Sequence, residues 1–315
     1  MSLETLYQRV RDEISKVIFG QPETIDLALA ALLSSGHVLL EGPPGVAKTL
    51  LVRSIAATLA MDFRRVQMTP DLLPGDITGT AIYREDQRTF EFRRGPIFTN
   101  CLLADEVNRA SARTQSAMLE AMQELSVTYD GVSHVLPDPF IVFATQNPIE
   151  QEGTYPLPLA QLDRFMFKVI VGYPEPNSEE QVLREHHATG GRSNPTAMGV
   201  HAVLKPEDVL AARETIRETY IREEVIGYVR RLLTATREDD SLAVGASPRA
   251  GLMLLVGAKS VARFAGRDFV TPDDVKSVFL PAMRHRVVLS PSAELEGAEV
   301  DAVLNQLLEL VEVPR

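Results

Sequence analysis

The octapeptide Gly42-Pro43-Pro44-Gly45-Val46-Ala47-Lys48-Thr49 constrains the fold more than any other stretch of this 315-residue chain. It follows the apolar run His37-Val38-Leu39-Leu40-Glu41 and precedes apolar residues at helical spacing, so a strand must turn here directly into a helix. A plain glycine-rich turn does not need that setting. A phosphate-binding loop does, because its glycines let the backbone approach an anion and the helix start aims N–H groups at it. Lys48 then supplies a mobile positive charge for the β- and γ-phosphate oxygens, and the Thr49 hydroxyl suits Mg²⁺. The stretch therefore predicts ATP with Mg²⁺ as ligand, held by Gly42, Pro43, Pro44, Gly45, Val46, Ala47, Lys48, Thr49 and the adjoining Leu50.

A second apolar run, Leu102-Leu103-Ala104, ends in the paired carboxylates Asp105-Glu106. In a doubly wound sheet that end faces the nucleotide. Asp105 is the candidate Mg²⁺ partner and Glu106 the candidate general base for an attacking water. Taken alone, the pair could equally cap the next helix. No guanine-reading Asn-Lys-x-Asp motif occurs.

The first half alternates apolar runs at 37–41, 64–68, 99–104, 140–146 and 165–171 with amphipathic stretches at 23–33, 48–59 and 112–123, the pattern of a parallel sheet covered by helices. Two segments break the rhythm as hairpins. In 77–98, Ile82, Tyr83, Phe90 and Phe92 flank a polar turn at 84–88. In 126–137, two short runs flank Asp130-Gly131, a dipeptide suited to a tight turn with positive φ. Strand patterns stop at the breaker-rich Gly172-Tyr173-Pro174-Glu175-Pro176-Asn177. Helical patterns follow from Ser178, Lys205, Arg222, Ser247, Thr271 and Ser292, after a loose connector at 190–198 in the early part of this half. The expected division is a nucleotide-binding core over 1–175 and a linker with a helical domain over 176–315.

A net charge of −11 disfavours a broad grip on nucleic acid or anionic lipid. The single cysteine, Cys101, excludes intrachain disulfides and thiolate zinc clusters, and no apolar run reaches membrane-spanning length, so a cytoplasmic protein without membrane insertion is expected. The six histidines show no paired metal-ligand spacing.

Taken in order, Val17-Ile18-Phe19-Gly20-Gln21, the phosphate loop, Leu103-Ala104-Asp105-Glu106-Val107-Asn108-Arg109-Ala110, Ala144-Thr145-Gln146-Asn147-Pro148, Ala160-Gln161-Leu162-Asp163-Arg164-Phe165 and Ser247-Pro248-Arg249-Ala250 resemble the AAA+ ATPases, and more narrowly the MoxR family. The resemblance covers nearly the whole chain. It implies an α/β fold: a P-loop AAA+ core with a five-stranded parallel sheet, helices on both faces and two inserted hairpins, plus a C-terminal all-helical lid. It further implies that Val17, Ile18 and Gln21 help hold the adenine and that Asn147 orients the lytic water. Arg164 resembles an arginine finger reaching a neighbouring subunit's γ-phosphate, and Arg249 a lid arginine that senses nucleotide, in cis or in trans. By themselves Asn147 would suit a turn before Pro148 and either arginine an ordinary surface ion pair. Arg109 and Arg113 stand as rivals for the trans contact. Arg84, Arg88, Arg93 and Arg94 on the first hairpin are candidates for touching a substrate, although Glu85, Asp86 and Glu91 beside them fit a solvated hairpin.

The function so implied is Mg-ATP hydrolysis in a ring oligomer, a hexamer, that remodels or assembles protein partners in a chaperone-like way with a von Willebrand factor A domain protein. The alternatives are a nucleic-acid motor, a chelatase-type ATPase subunit and a nucleotide-gated scaffold.

Overall fold

The computed structural model describes residues 2–86, 88–148, 154–188 and 194–314. Gln87 of the first hairpin turn and residues 190–193 of the expected connector lie outside the described residues. The remainder of that connector holds a 3₁₀ turn, Thr196–Met198.

Strands β1 (Val38–Glu41), β2 (Phe63–Gln67), β5 (Cys101–Asp105), β8 (Ile141–Gln146) and β9 (Phe167–Ile170) form one parallel sheet in the order β2-β5-β8-β1-β9. Between them come two antiparallel hairpins, β3 (Gly79–Arg84) with β4 (Thr89–Arg94) and β6 (Ser126–Tyr129) with β7 (Val132–Val135). Both expected interruptions are thus hairpins outside the sheet. Asp130 at φ 48° and Gly131 at φ 76° make the tight second turn.

Side chains of a strand alternate between faces, and here the alternation sorts the core into two clusters. Val38, Leu40, Cys101, Leu103, Ile141, Phe143, Phe167 and Val169 enter one, with α1 (Leu3–Ser15), α2 (Pro22–Leu33) and α3 (Lys48–Thr58). Leu39, Leu102, Ala104, Val142 and Ala144 enter the other. That second face is covered by α5 (Ala112–Glu124) through Met118, Leu119 and Met122, and by Ile77 of the short α4 (Pro74–Thr78). A fully buried Leu or Phe contributes about 1.5–3 kcal/mol, so a one-residue slip of any strand, which would swap its side chains between two differently shaped layers, is strongly opposed.

After α6 (Leu159–Leu162) and β9 the chain becomes helical: α7 (Pro176–Ala188), α8 (Pro206–Arg217), α9 (Glu223–Glu238), α10 (Pro248–Phe264), α11 (Pro272–Met283), α12 (Pro291–Leu295) and α13 (Val300–Leu310). The Thr271 start signal is real: Asp274 accepts from the Thr271 N–H and hydroxyl at 2.8 Å each and pairs with Nη1 and Nη2 of Arg267. Tyr228, Leu232, Leu254, Phe279 and Leu304 of these helices join the same core cluster as α1 to α3.

Besides shifts of one or two residues at the ends of the other strands, three details differ from the sequence expectation. A ribbon of β10 (Leu242–Val244) and β11 (Val288–Leu289) interrupts the all-helical layer, too short to show a period of two. The helix α1 lies outside the expected elements, and Ser2 caps it by accepting from the Thr5 N–H at 3.2 Å. The first strand begins at Val38 rather than His37. The His37 ring is buried and used sideways, its Nδ1 accepting from the Val142 N–H at 3.0 Å and its Nε2 donating to the Met122 carbonyl.

Candidate nucleotide site

The adjacent strands β5, β8 and β1 end on the same edge of the sheet. Their C-terminal residues Asp105-Glu106, Gln146-Asn147 and the loop after Glu41 therefore meet at one place. A cavity of about 520 Å³ opens there, lined by residues 44–50 and by Arg53, Arg65, Asp105, Glu106, Thr145 and Asn147.

The loop's glycines do different jobs. A Cβ at Gly42 would run into the Val171 carbonyl, while the Gly42 N–H donates to the Gln146 carbonyl at 3.3 Å, so this glycine lets the loop nest between β8 and β9. Gly45 has φ +86° and open space beside it, and Ala47 follows in the left-handed region at φ 60°. Lys48 opens α3, and its Nζ donates to the carbonyls of Gly42 at 2.6 Å and Pro43 at 2.9 Å. Burial pulls the Lys48 ammonium below its ordinary pKa, and the carboxylates of Asp105 and Glu106 push it back up.

Asp105 and Glu106 are held by different partners. Asp105 Oδ1 accepts from the Thr145 hydroxyl at 2.5 Å, and Oδ2 takes Arg65 Nε at 2.9 Å and Nη2 at 2.7 Å. Glu106 sits at φ 57°, ψ 53°, a left-handed conformation that costs a residue with a Cβ about 1–2 kcal/mol. Its N–H donates to Thr145 Oγ1 at 2.8 Å, and its Oε2 accepts from Gln67 Nε2 at 2.9 Å and Arg109 Nη1 at 3.0 Å. One buried hydroxyl thus ties both acidic residues to β8, and the two carboxylates point to separate anchors.

Asn147 lines the cavity and is 8% exposed. Of the residues expected around adenine, Gln21 donates from Nε2 to the Val46 carbonyl at 3.2 Å, and its buried Oε1 has no partner among the described residues. Val17 and Ile18 are core residues at 4% exposure each and do not line the cavity. Neither Arg164, in the turn after α6, nor Arg249, in the first turn of α10, lines it. Arg109 is engaged by Glu106. On the first hairpin Arg84 pairs with Glu91 at 2.7 Å, and Arg94 lies 5.1 Å from the Phe98 ring centre. Cys101 is buried, which pushes its thiol well above the ordinary pKa. Among the described residues no helix is long and apolar enough to cross a membrane.

Sequence reasoning missed Arg53, Arg65, Gln67 and the double duty of Thr145. Arg65 and Gln67 share a strand face on β2, and the β2–β5 register sets Gln67 beside Asp105. That pairing joins segments far apart in sequence, so only the alternation of β2 hinted at it.

Residues 37–167 match the model of the ATPase family associated with various cellular activities (AAA), and residues 234–307 match an AAA lid domain. The chain is 43% identical to Chaperone MoxR1 of Mycobacterium tuberculosis, over 98% of this chain and 82% of that protein. It is likewise 43% identical to protein YeaC of Bacillus subtilis, over 99% of this chain and 96% of that one. A crystal structure of a Cytophaga hutchinsonii protein designated an ATPase superposes with a TM-score of 0.90 at 41% identity, covering 99% of this chain and 97% of that chain. With the phosphate loop, the acidic pair and the lid all in place, the chain is a member of the MoxR family of AAA+ ATPases, an enzyme that binds and hydrolyses ATP.

Proposed function

We propose that this protein hydrolyses Mg-ATP in a ring of identical subunits, a hexamer, and uses the turnover to remodel or assemble a protein partner that carries a von Willebrand factor A domain. The observation that carries the oligomeric part is the composition of the cavity. It gathers the loop, Arg53, Arg65, Asp105, Glu106 and Asn147, with Arg65 already taken up by Asp105, yet neither Arg164 nor Arg249 lines it. A site for transferring a phosphoryl group to water needs positive charge on the γ-phosphate at the moment of transfer. A second copy of the chain supplies that charge through Arg164, with Arg249 as the lid arginine.

In this reading the loop N–H groups and Lys48 hold the β- and γ-phosphates. Gln21 sits at the adenine end, supported by its contact with Val46. Glu106, steadied by Gln67 and Arg109, takes the proton of the attacking water, and Asn147 orients that water. Thr49 and Asp105 would hold Mg²⁺, whose hard oxygen preference their hydroxyl and carboxylate fit; the ion would neutralise charge on the phosphate oxygens. We keep the division into a core over 1–175 and a linker with lid over 176–315.

The chaperone-like role is supported by the identity to Chaperone MoxR1. Capture from native lysate with the Glu106→Gln protein and ATP tests it. Recovery of a von Willebrand factor A protein supports the proposal, and recovery dominated by DNA or RNA, or turnover stimulated by nucleic acid in a salt-dependent way, sinks it.

A further inference from the structure

The turn that carries Arg164, with the start of β9 behind it, is gripped from the helical layer by three consecutive residues beyond the end of α11. Arg284 Nη1 donates to the Lys168 carbonyl at 3.4 Å, and His285 Nε2 donates to the Phe165 carbonyl at 2.9 Å. Arg286 is 3% exposed and has every N–H placed. Its Nε donates to Asp163 Oδ1 at 2.6 Å. Its Nη2 donates to the carbonyls of Asp163 at 3.2 Å and Phe165 at 2.5 Å, and its Nη1 to those of Met166 at 3.0 Å and Ala282. The backbone is therefore pinned on both sides of Arg164. The other Asp163 oxygen accepts from the Ser247 hydroxyl at 3.4 Å, and Ser247 caps the helix on which Arg249 stands.

Burying a guanidinium costs several kcal/mol, and an apolar replacement of the whole pair is often no less stable. Stability alone is thus a weak reason for this arrangement. What the ion pair supplies is a fixed direction, because the planar fork matches a carboxylate and several carbonyls in one geometry only.

We propose that Arg286 and Asp163 are positioning residues for ATP turnover: they clamp the Arg164 turn, and through Ser247 the start of the Arg249 helix, into one unit carried by the helical layer. Movement of that layer then moves both arginines together. The inference rests on the reading of Arg164 as the group that acts on a neighbour's γ-phosphate.

The test is a double-mutant cycle in the full chain with Arg286→Lys, Asp163→Asn, Arg164→Ala and the Arg164→Ala/Arg286→Lys pair. Folding is followed by thermal unfolding, nucleotide affinity by equilibrium binding of ATP, and turnover as kcat. Arg286→Lys and Asp163→Asn are expected to stay folded, keep their ATP affinity and lose roughly a hundredfold in kcat, the cost of a misplacement near 1 Å. Adding Arg286→Lys to Arg164→Ala should cost far less than Arg286→Lys costs alone, since most of the clamp's effect passes through that arginine and only the remainder through the Arg249 helix. Losses that multiply in the double variant overturn the proposal. So does wild-type kcat in both clamp variants, or loss of ATP affinity or of the fold in both. Normal turnover by Arg164→Ala instead overturns the underlying reading of Arg164, and the two failures are told apart because that variant leaves the clamp intact.

Discussion

Replacing Thr145 by valine keeps the side-chain shape and removes one oxygen that serves both acidic residues. Thr145 is 1% exposed, so no solvent stands ready to replace the hydroxyl on its own side. Two interactions disappear, the donation to Asp105 Oδ1 and the acceptance from the Glu106 N–H. A hydrogen bond to a charged acceptor contributes about 1.5–3 kcal/mol, and an amide N–H left without a partner costs about 1–3 kcal/mol. Glu106 borders the cavity, so the lower end of the sum applies, about 2.5 kcal/mol. For a chain of this size that corresponds to a fall in melting temperature of about 4 °C. With its anchor gone, the left-handed Glu106 relaxes and its carboxylate shifts, which should lower kcat roughly a hundredfold while ATP affinity changes little. Thermal unfolding, ATP binding and steady-state turnover of Thr145→Val measure all three quantities. A variant with parental melting temperature and kcat would refute the reasoning.

Lys48→Ala should abolish ATP binding, whereas Glu106→Gln should bind ATP and fail to turn it over; normal turnover by the latter would exclude Glu106 as the base. Gly42→Ala should cost about 1–3 kcal/mol, the order of an overpacked core, and displace the loop, because the new methyl meets the Val171 carbonyl; unaltered ATP binding and melting temperature would contradict this. Stability should fall as pH drops from about 6.5 towards 4. Burial lowers the pKa of His37 from 6.5 to about 4, so the folded state favours the neutral ring and that advantage is complete above the unfolded pKa. Its full loss amounts to about 3 kcal/mol by the usual conversion. Buried His285, also lowered, adds to the trend, and a denaturation midpoint flat across that interval would contradict it.

What the sequence revealed and what it hid divide along contact range. The loop, the acidic pair and the five-strand pattern are written in short contiguous stretches, because a strand running into a glycine-rich turn and a helix is a local event. Arg65 reaches Asp105 only through the β2–β5 pairing, and Arg286 reaches Asp163 across 123 residues of chain. No local pattern announces either contact. Thr145 stood inside a recognised block, but its bonds to Asp105 and Glu106 depend on how β5 and β8 lie side by side. The helix α1 was the most avoidable omission, since Leu6, Tyr7, Val10 and Ile14 recur at helical spacing behind a serine cap.

The central claim is that one chain's cavity is completed by another chain's arginine, and a mixing experiment tests it most directly. Lys48→Ala and Arg164→Ala proteins are each expected to be inactive, the first for want of bound ATP and the second for want of the trans charge. In a mixed ring an intact cavity can face an intact Arg164, so the account predicts that mixing restores part of the ATPase rate. Mixed rings that form, as shown by co-purification of differently tagged subunits, yet stay as inactive as either parent would contradict it.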